Sequence, residues 1–198
     1  KLIERERLLD KDQRAWILNE ARGLASTSHP GVVQVYEVGE AGPHTYVAME
    51  LLTGPSLHEV IAEWTHQRED SSAPSLPEFE EDRVRVQALR ALAARLAPYS
   101  RRIELLAELA EAMAHCHDHG VLHRDIKPKN VQFDAEGRPK WIDFGLAHVE
   151  GADEDSRLEL TQSLVGTVAY LAPEQVTNER TGADPRSDQF SFGTLAYE

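Results

Sequence analysis

The sequence predicts an α+β domain, with strands in its first quarter and helices over most of the remainder. Valine, tyrosine and threonine, which favour strands, are concentrated at 32–38 and 45–50, with a predicted turn at 39–43 between them. Apolar residues recur at helical spacing in several later segments. A short hairpin pattern at 131–142 interrupts these helices. The 198 residues are enough for one domain with a sizeable core.

Charge and cysteine content exclude several classes of protein. The net charge of −13 opposes a nucleic-acid partner, and we expect none. The single cysteine, Cys116, excludes an internal disulfide and a thiolate metal cluster. Neither a bilayer-spanning apolar run nor a signal peptide is found in the sequence. We therefore expect a cytoplasmic domain, or one on the cytoplasmic side of a membrane if other parts of the protein carry an anchor.

The region before the first valine-rich strand predicts the end of a strand followed by a helix. Residues 1–3 are apolar enough to end a strand, and a helical pattern follows over 12–26. Within it, Trp16, Glu20 and Leu24 share one stripe of the helix. A carboxylate in an apolar stripe is unusual, because a glutamate is normally solvated.

The segment from Ser56 to Ser100 predicts two helices joined by a polar loop. Ser56 is a suitable N-cap for a helix that ends near Trp64. Residues 66–77 are polar and contain proline, which predicts a mobile loop. Apolar residues then recur at helical spacing over 84–96, with arginines between them. This second helix either packs on the rest of the domain, the more ordinary outcome, or offers a docking surface to a partner.

A clean amphipathic helix is predicted from Ile103 to His117. Its apolar side consists of Ile103, Leu106, Ala110, Met113 and Ala114. Histidines are frequent at its end and just beyond, at His115, His117, His119 and His123. Only His115 and His119 share a helical face, and no thiolate accompanies them. Packing or surface roles are therefore favoured over a zinc site.

The stretch 121–145 carries the groups most suited to chemistry. Turn residues at 134–137 fold two short strands back on each other, which brings Asn130 and Asp143 together at the open end of a hairpin. An amide oxygen and a carboxylate there suit Mg²⁺, which takes hard oxygen ligands. Asp125 lies on the loop just before the hairpin, within reach of whatever the metal holds.

Three motifs in this order resemble those of the protein kinases. The catalytic-loop pattern H-R-D-x-x-x-x-N spans 123–130, D-F-G spans 143–145, and A-P-E spans 172–174. Each tripeptide alone is a weak signal. All three together at these separations form a strong one.

The resemblance implies a two-lobed α+β fold, with a small β-rich lobe and a mainly helical large lobe. Residues 1–52 correspond to part of the small lobe, and residues 53–198 to part of the large lobe with an insertion at about 65–100. Both lobes are expected to be incomplete, because the chain begins with Lys1 rather than Met and ends on an apolar run without a helix stop signal. A domain cut in this way is expected to be inactive by itself.

The resemblance also implies phosphoryl transfer from ATP, with Mg²⁺ as the metal. Asp125 is then the group that accepts or orients the proton of the substrate hydroxyl, and Lys127 lies by the transferred phosphoryl group. Asn130 and Asp143 hold Mg²⁺. Lys127 together with Thr167 resembles the serine/threonine kinases rather than the tyrosine kinases.

Several further residues correspond to those that bind the nucleotide in protein kinases. Lys1 lies nineteen residues before Glu20, the separation expected for the lysine that holds the ATP phosphates and its glutamate partner. A frayed terminal lysine is the alternative. Met49 corresponds to the gatekeeper at the back of the adenine pocket. The Glu50 carbonyl and the Leu52 amide correspond to hinge groups that hydrogen-bond adenine.

Regulation by phosphorylation is implied as well. Arg124 corresponds to an arginine that often pairs with a phosphate on the activation segment. Thr161 or Ser163 is the predicted phosphorylation site, and ordinary loop hydroxyls are the alternative. Asp188 is expected to brace the backbone of the catalytic loop.

The function implied by the resemblance is that of an ATP-dependent, bacterial-type serine/threonine protein kinase. Its partners are then protein substrates with serine or threonine acceptors, and copies of itself for autophosphorylation in trans. The alternative is a pseudokinase or scaffold that binds partners without turnover, against which stands the presence of Asp125, Lys127, Asn130 and Asp143. A small-molecule kinase is a third alternative, disfavoured by the A-P-E element.

Overall fold

The structure, a computed structural model, describes residues 2–3, 21–41, 44–69, 80–144, 168–176 and 184–198. The strands of this part of the chain are β1 Leu2–Ile3, β2 Val35–Ala41, β3 His44–Met49, β4 Val131–Phe133 and β5 Pro139–Trp141. The helices are α1, described over 21–26, α2 Leu57–Glu69, α3 Glu80–Leu96, α4 Tyr99–Asp118, α5 Pro173–Val176 and α6 Pro185–Tyr197. Short 3₁₀ turns lie at Pro128–Asn130 and Val168–Tyr170. The predicted α+β class is confirmed.

The first sheet is antiparallel, with the strand order β1-β3-β2. Strands β2 and β3 stay paired as far as Ala41 opposite His44, so the predicted turn at 39–43 is wrong over its first three residues. Gly39 is opposite Tyr46, and a Cβ at Gly39 would lie 2.6 Å from the tyrosine hydroxyl oxygen. Glycine at this position therefore permits a close ring contact within a strand rather than a turn.

The segment before β2 joins the first sheet to the second. Trp141 N donates a hydrogen bond to Gly31 O, and Val33 N donates to Trp141 O, both at 2.9 Å. Val32 and Val33 are buried against the core. These residues are predicted as the start of a strand in the first sheet, but their backbone groups pair with β5 instead. Consequently β2 begins only at Val35.

Helix α2 begins with a capping box, in which serine and glutamate satisfy each other's backbone amides. Glu59 N donates to Ser56 Oγ at 3.3 Å, and Ser56 N donates to Glu59 Oε2 at 2.7 Å. The predicted cap is therefore confirmed. The helix runs on to Glu69, so the first part of the loop predicted at 66–77 is helical instead. Residues 70–79 lie outside the described part of the chain.

The predicted helix at 84–96 is present as α3 and packs on the domain. Its buried side chains are Leu92, Ala93 and Leu96. Trp64 of α2 donates a hydrogen bond from Nε1 to Ala93 O at 2.8 Å. Arg85 forms an ion pair with Glu59 across the same helix pair at 2.8 Å. These contacts confirm the interpretation of α3 as a helix packed on the domain.

The buried side of helix α4 overlaps the predicted side only in part. Its buried residues are Leu105, Leu109, Ala112, Met113 and Cys116. On the predicted side, Ile103 is 47% exposed and Ala114 is also exposed, whereas Met113 is buried as predicted. Alanine and leucine occur on several sides of this helix, so periodicity alone does not determine which side is buried. Contact with the second sheet selects it, because Trp141 Nε1 donates to Leu109 O at 2.9 Å.

Helix α6 carries Asp188 to the segment between α4 and β4. Its N-cap is Asp184, whose side chain accepts a hydrogen bond from Arg186 N at 2.7 Å, and Pro185 occupies the first helical position. The buried side of α6 consists of Ser187, Asp188, Ser191 and Leu195. Across the described ranges, no helix combines the length and the apolar character needed to span a membrane.

Candidate active site

The loop between α4 and β4 is held in place by one buried carboxylate. Asp188 is 2% exposed and accepts hydrogen bonds from His123 N and Arg124 N, both at 2.8 Å. His117 Nε2 lies 2.8 Å from the same carboxylate. Arg124 has a φ of 63°, in the left-handed region that costs a non-glycine residue free energy. The predicted bracing of the catalytic loop by Asp188 is therefore confirmed.

Asp188 remains ionised in this environment. Burial acts to raise the pKa of Asp188, but the hydrogen bonds from His117 and from the two backbone amides outweigh it and hold the pKa below its ordinary value. A carboxylate that accepts several hydrogen bonds keeps its negative charge at neutral pH. The loop is consequently fastened by charge-assisted hydrogen bonds, which are stronger than neutral ones.

His123 is a structural residue of this loop. It is 1% exposed, and its ring is stacked 4.5 Å from the ring of Phe144 and meets Trp141 edge-on at 5.1 Å. Asp125 N donates to His123 Nδ1 at 3.4 Å. Burial lowers the pKa of His123, and the nearby carboxylates, Asp188 foremost, only partly oppose this. The ring is therefore neutral and packs as an aromatic group, as the sequence predicts.

Asp125, Lys127 and Asn130 form one contact group at the end of the loop. Lys127 Nζ lies 2.7 Å from Asp125 Oδ2. Asn130 Nδ2 donates to the same oxygen at 2.8 Å and to Asp125 O at 2.7 Å. Asn130 is 5% exposed, whereas the side chains of Asp125 and Lys127 are 22% and 19% exposed. A buried amide and a lysine thus orient a carboxylate that solvent can reach.

The hairpin β4–β5 places Asp143 beside this group. Val131 pairs with Trp141, and Ile142 N donates to Asn130 O at 2.9 Å, so Asn130 and Asp143 flank the open end of the hairpin. Asp143 has a φ of 55°, a second left-handed residue at the site. Because the amide nitrogen of Asn130 is directed at Asp125, its oxygen is the atom left to join the Asp143 carboxylate as a hard ligand. This pair of oxygen donors fits Mg²⁺.

The hinge segment, residues 50–54, is attached to the same hairpin. Lys140 Nζ lies 2.8 Å from Glu50 Oε1, and Gln132 Nε2 donates to Gly54 O at 3.1 Å and to Leu52 O at 3.3 Å. Lys140 and Gln132 lie outside the motifs that predict the site. Their signal is a polar residue at the centre of each apolar three-residue strand.

The A-P-E element reaches the catalytic loop through Gln175. Gln175 Nε2 donates to Arg124 O at 3.1 Å, and its Oε1 accepts from Ala172 N at 3.0 Å. Glu174 accepts a hydrogen bond from Ser187 Oγ of α6 at 2.6 Å. Gln175 is a further residue of the site that the motifs do not include, because it lies one position beyond A-P-E.

Several predicted residues lie outside the described part of the chain: Lys1, Glu20, Gly145, Thr161, Ser163 and Thr167. The lysine–glutamate pair and the phosphorylation sites therefore stay predictions. Met49 ends β3 opposite Val35 and is partly buried against the core.

The histidines do not form a metal centre in the described ranges. The rings of His29, His115 and His119 lie near one another, with centroids 5.0 Å and 4.4 Å apart along the row. His119 Nδ1 is used in a hydrogen bond to His115 O at 2.8 Å. Among the described residues, no group of three or more histidine, cysteine, aspartate or glutamate side chains is arranged to hold a metal ion.

Comparison with known proteins identifies the class to which this fold and site belong. The chain matches the protein kinase domain family over residues 1–198. It resembles the solved kinase domain of Mycobacterium tuberculosis PknI, determined as a single-residue mutant, with a TM-score of 0.59, 21% identity, and coverage of 94% of this chain and 56% of that one. At that identity the likeness concerns the fold, which is the two-lobed kinase fold.

Curated relatives narrow the class further. The chain is 32% identical over 183 residues to the serine/threonine-protein kinase PknB of Mycolicibacterium smegmatis, covering 90% of this chain and 24% of that protein. It is 33% identical over 181 residues to the serine/threonine-protein kinase pkn2 of Myxococcus xanthus, covering 90% of this chain and 18% of that protein. The chain thus spans about a quarter of these relatives or less. It belongs to the protein kinase family and is of the bacterial serine/threonine type.

Proposed function

We propose that this protein transfers the γ-phosphoryl group of ATP to serine or threonine hydroxyls of protein substrates. The observation that carries the proposal is the contact group of Asp125, Lys127 and Asn130, set at the open end of the hairpin that ends in Asp143. Such an arrangement gathers a proton acceptor, a cation and two candidate metal ligands at one end of the hairpin. Phosphoryl transfer needs little beyond this alignment and charge.

Asp125 receives the acceptor hydroxyl of the substrate. Its carboxylate is reachable by solvent, yet its orientation is fixed from behind by the Asn130 amide and by Lys127. The carboxylate orients the hydroxyl oxygen toward the γ-phosphorus atom and accepts the hydroxyl proton. The new oxygen–phosphorus bond forms as the bond from the γ-phosphorus to the β–γ bridging oxygen breaks and ADP leaves. A freely rotating aspartate would lose much of this alignment.

Lys127 and the pair Asn130–Asp143 stabilise the negative charge of the phosphates. Lys127 Nζ, 2.7 Å from Asp125 Oδ2, is close enough to the acceptor position to contact an oxygen of the transferred phosphoryl group. Asn130 and Asp143 would hold Mg²⁺, which would supply positive charge against the negative charge that spreads over the phosphoryl group. On the motif match alone, we also assign Lys1 to the phosphates, Glu20 to the ion pair that orients Lys1, and Thr167 to the acceptor site.

Regulation is proposed to act on the segment after Asp143. Phosphorylation of Thr161 or Ser163 by a second copy of the protein would add charge near Arg124, whose backbone carbonyl and amide are already bonded to Gln175 and Asp188. The test is mass spectrometry of active enzyme. If neither residue is modified in the active enzyme, or if the double alanine variant keeps full activity, these sites are excluded.

The transfer reaction is tested with the full-length protein, Mg²⁺ and ATP labelled on the γ-phosphate, with phosphorylated residues located by mass spectrometry. We expect label on serine or threonine, and a loss of about a hundredfold or more in Asp125→Asn. Asp118→Asn is the matched control, since Asp118 is an exposed carboxylate at the end of α4. Nucleotide binding without transfer would instead identify a pseudokinase, and transfer unaffected by Asp125→Asn would remove Asp125 as the base.

A further inference from the structure

Two polar residues lie side by side on the face of the hairpin β4–β5 that is directed away from the core. Gln132 and Lys140 are cross-strand partners, each at the centre of a three-residue strand. Their neighbours Val131, Phe133 and Trp141 are fully buried on the opposite face. Because side chains alternate across a strand, Gln132 and Lys140 project together away from the core.

Lys140 binds the side chain of the first hinge residue. Its Nζ lies 2.8 Å from Glu50 Oε1 and 3.1 Å from Glu50 Oε2, and the two side chains are only 12% and 21% exposed. Glu50 Oε1 also accepts a hydrogen bond from Gln34 N at 2.8 Å, while Glu50 N donates to Gln34 O at 2.9 Å. Glu50 thus connects the hairpin, the hinge segment and Gln34, the residue just before β2.

Gln132 binds the backbone of the rest of the hinge segment. Its Nε2 donates to Leu52 O at 3.3 Å and to Gly54 O at 3.1 Å. Backbone bonds strengthen the attachment, because Gly54 N donates to Phe133 O at 3.1 Å and Phe133 N donates to Pro55 O at 3.0 Å. The hinge segment therefore follows any displacement of the hairpin.

The same two strands lead directly to the metal ligands. Asn130 precedes β4, and Asp143 follows β5. The hairpin therefore carries both the oxygen ligands proposed for the phosphates and the side chains that fix the hinge segment proposed for adenine. A largely buried ion pair adds little net stability once the desolvation of its two charges is included. The effect of this pair is therefore sought in the position of the hinge segment rather than in folding.

We propose that Lys140 and Gln132 are positioning residues for the nucleotide, which fix the distance between the hinge segment and the metal ligands by holding the hinge on the hairpin. The proposal rests on the proposed function and deepens it. An adenine base held at a displaced hinge loses binding in the ground state and the transition state alike. Such a loss raises KM and leaves kcat unchanged.

The test compares Lys140→Met, which keeps the length of the side chain, with Lys140→Arg, which keeps the charge. In the full-length protein, Lys140→Met is expected to raise the Kd for adenosine and the KM for ATP by about tenfold each, with kcat within about twofold, and Lys140→Arg to recover most of the loss. Arg101→Met is the matched control, because it breaks an exposed ion pair with Glu104 on α4. If Lys140→Met does not fold, Gln132→Leu is measured in the same way.

Adenosine carries no phosphate, so its binding reports the hinge apart from the metal site. A tenfold loss of adenosine binding in Lys140→Met supports the positioning role even if the wild type transfers no phosphate, a result that would overturn the proposed function alone. Unchanged KM and adenosine Kd in an active Lys140→Met enzyme overturn the positioning role alone. A fall in kcat that Lys140→Arg fails to restore would also overturn the positioning role. The same holds if the wild type binds no adenosine.

Discussion

Replacement of Asp188 by asparagine is the most informative single change in the catalytic loop. The carboxylate of Asp188 accepts hydrogen bonds from His123 N and Arg124 N, one on each oxygen, and lies 2.8 Å from His117 Nε2. An amide has one acceptor oxygen, so one backbone N–H of the loop must face the amide nitrogen. Asp188→Asn therefore removes a charge and leaves a buried donor unsatisfied.

The cost of this change follows from the contacts. Loss of one charge-assisted hydrogen bond costs about 1.5–3 kcal/mol, and an unsatisfied buried donor costs about 1–3 kcal/mol. We therefore expect a loss of about 3–5 kcal/mol in the free energy of unfolding, against a total of about 5–15 kcal/mol for a typical domain. The left-handed backbone of Arg124, with its φ of 63°, loses its brace at the same time.

Urea denaturation followed by circular dichroism measures the effect on stability. Asp184→Asn is the matched control on the same helix, because asparagine serves as an N-cap about as well as aspartate and the loss should stay within a few tenths of a kcal/mol. If Asp188→Asn loses less than about 1 kcal/mol, the carboxylate does not hold the loop and the reasoning fails.

The pH dependence of stability provides a second readout of the same group. The pKa of Asp188 is lowered in the folded state, so its stabilising contribution is fully present above its ordinary value of 3.8 and is lost as pH falls through the lower folded value. Asp188→Asn should remove this part of the acid sensitivity. If the wild type and the variant lose the same stability as the pH falls, Asp188 is not the group responsible.

Two further predictions concern packing around the site. Burial raises the pKa of the Cys116 thiol to about 12, and the residue is 1% exposed. Iodoacetamide should therefore label Cys116 only after the protein unfolds. Rapid labelling of the native protein would contradict the placement of α4. Gly54→Ala would place a Cβ 2.5 Å from Phe133 O. We expect the free energy of unfolding, measured with heat or urea, to fall by about 1–3 kcal/mol. An unchanged unfolding midpoint would show that the hinge segment does not approach the hairpin this closely.

The hairpin and its catalytic loop were predictable because their signals are local. Turn residues at 134–137 and two short apolar strands determine where Asn130 and Asp143 meet, and the pairing of Val131 with Trp141 confirms the hairpin.

Other features depended on contacts between distant parts of the chain. The buried side of α4 is selected by Trp141, which lies in a strand far along the sequence, whereas alanine and leucine make several sides of the helix equally apolar. Gly39 permits contact with a tyrosine on the next strand, although glycine more often indicates a turn. The ion pair between Glu50 and Lys140 joins two polar residues whose spacing carries no periodic signal.

We expect a magnesium-bound nucleotide to be held where the hairpin presents Asn130 and Asp143, next to Asp125. The most direct test of this expectation is the structure of the full-length protein with Mg²⁺ and a non-hydrolysable ATP analogue. We predict a metal ion about 2.0–2.1 Å from oxygens of both Asn130 and Asp143, and a γ-phosphate facing Asp125. A nucleotide bound elsewhere, or a metal held by other residues, would contradict the account.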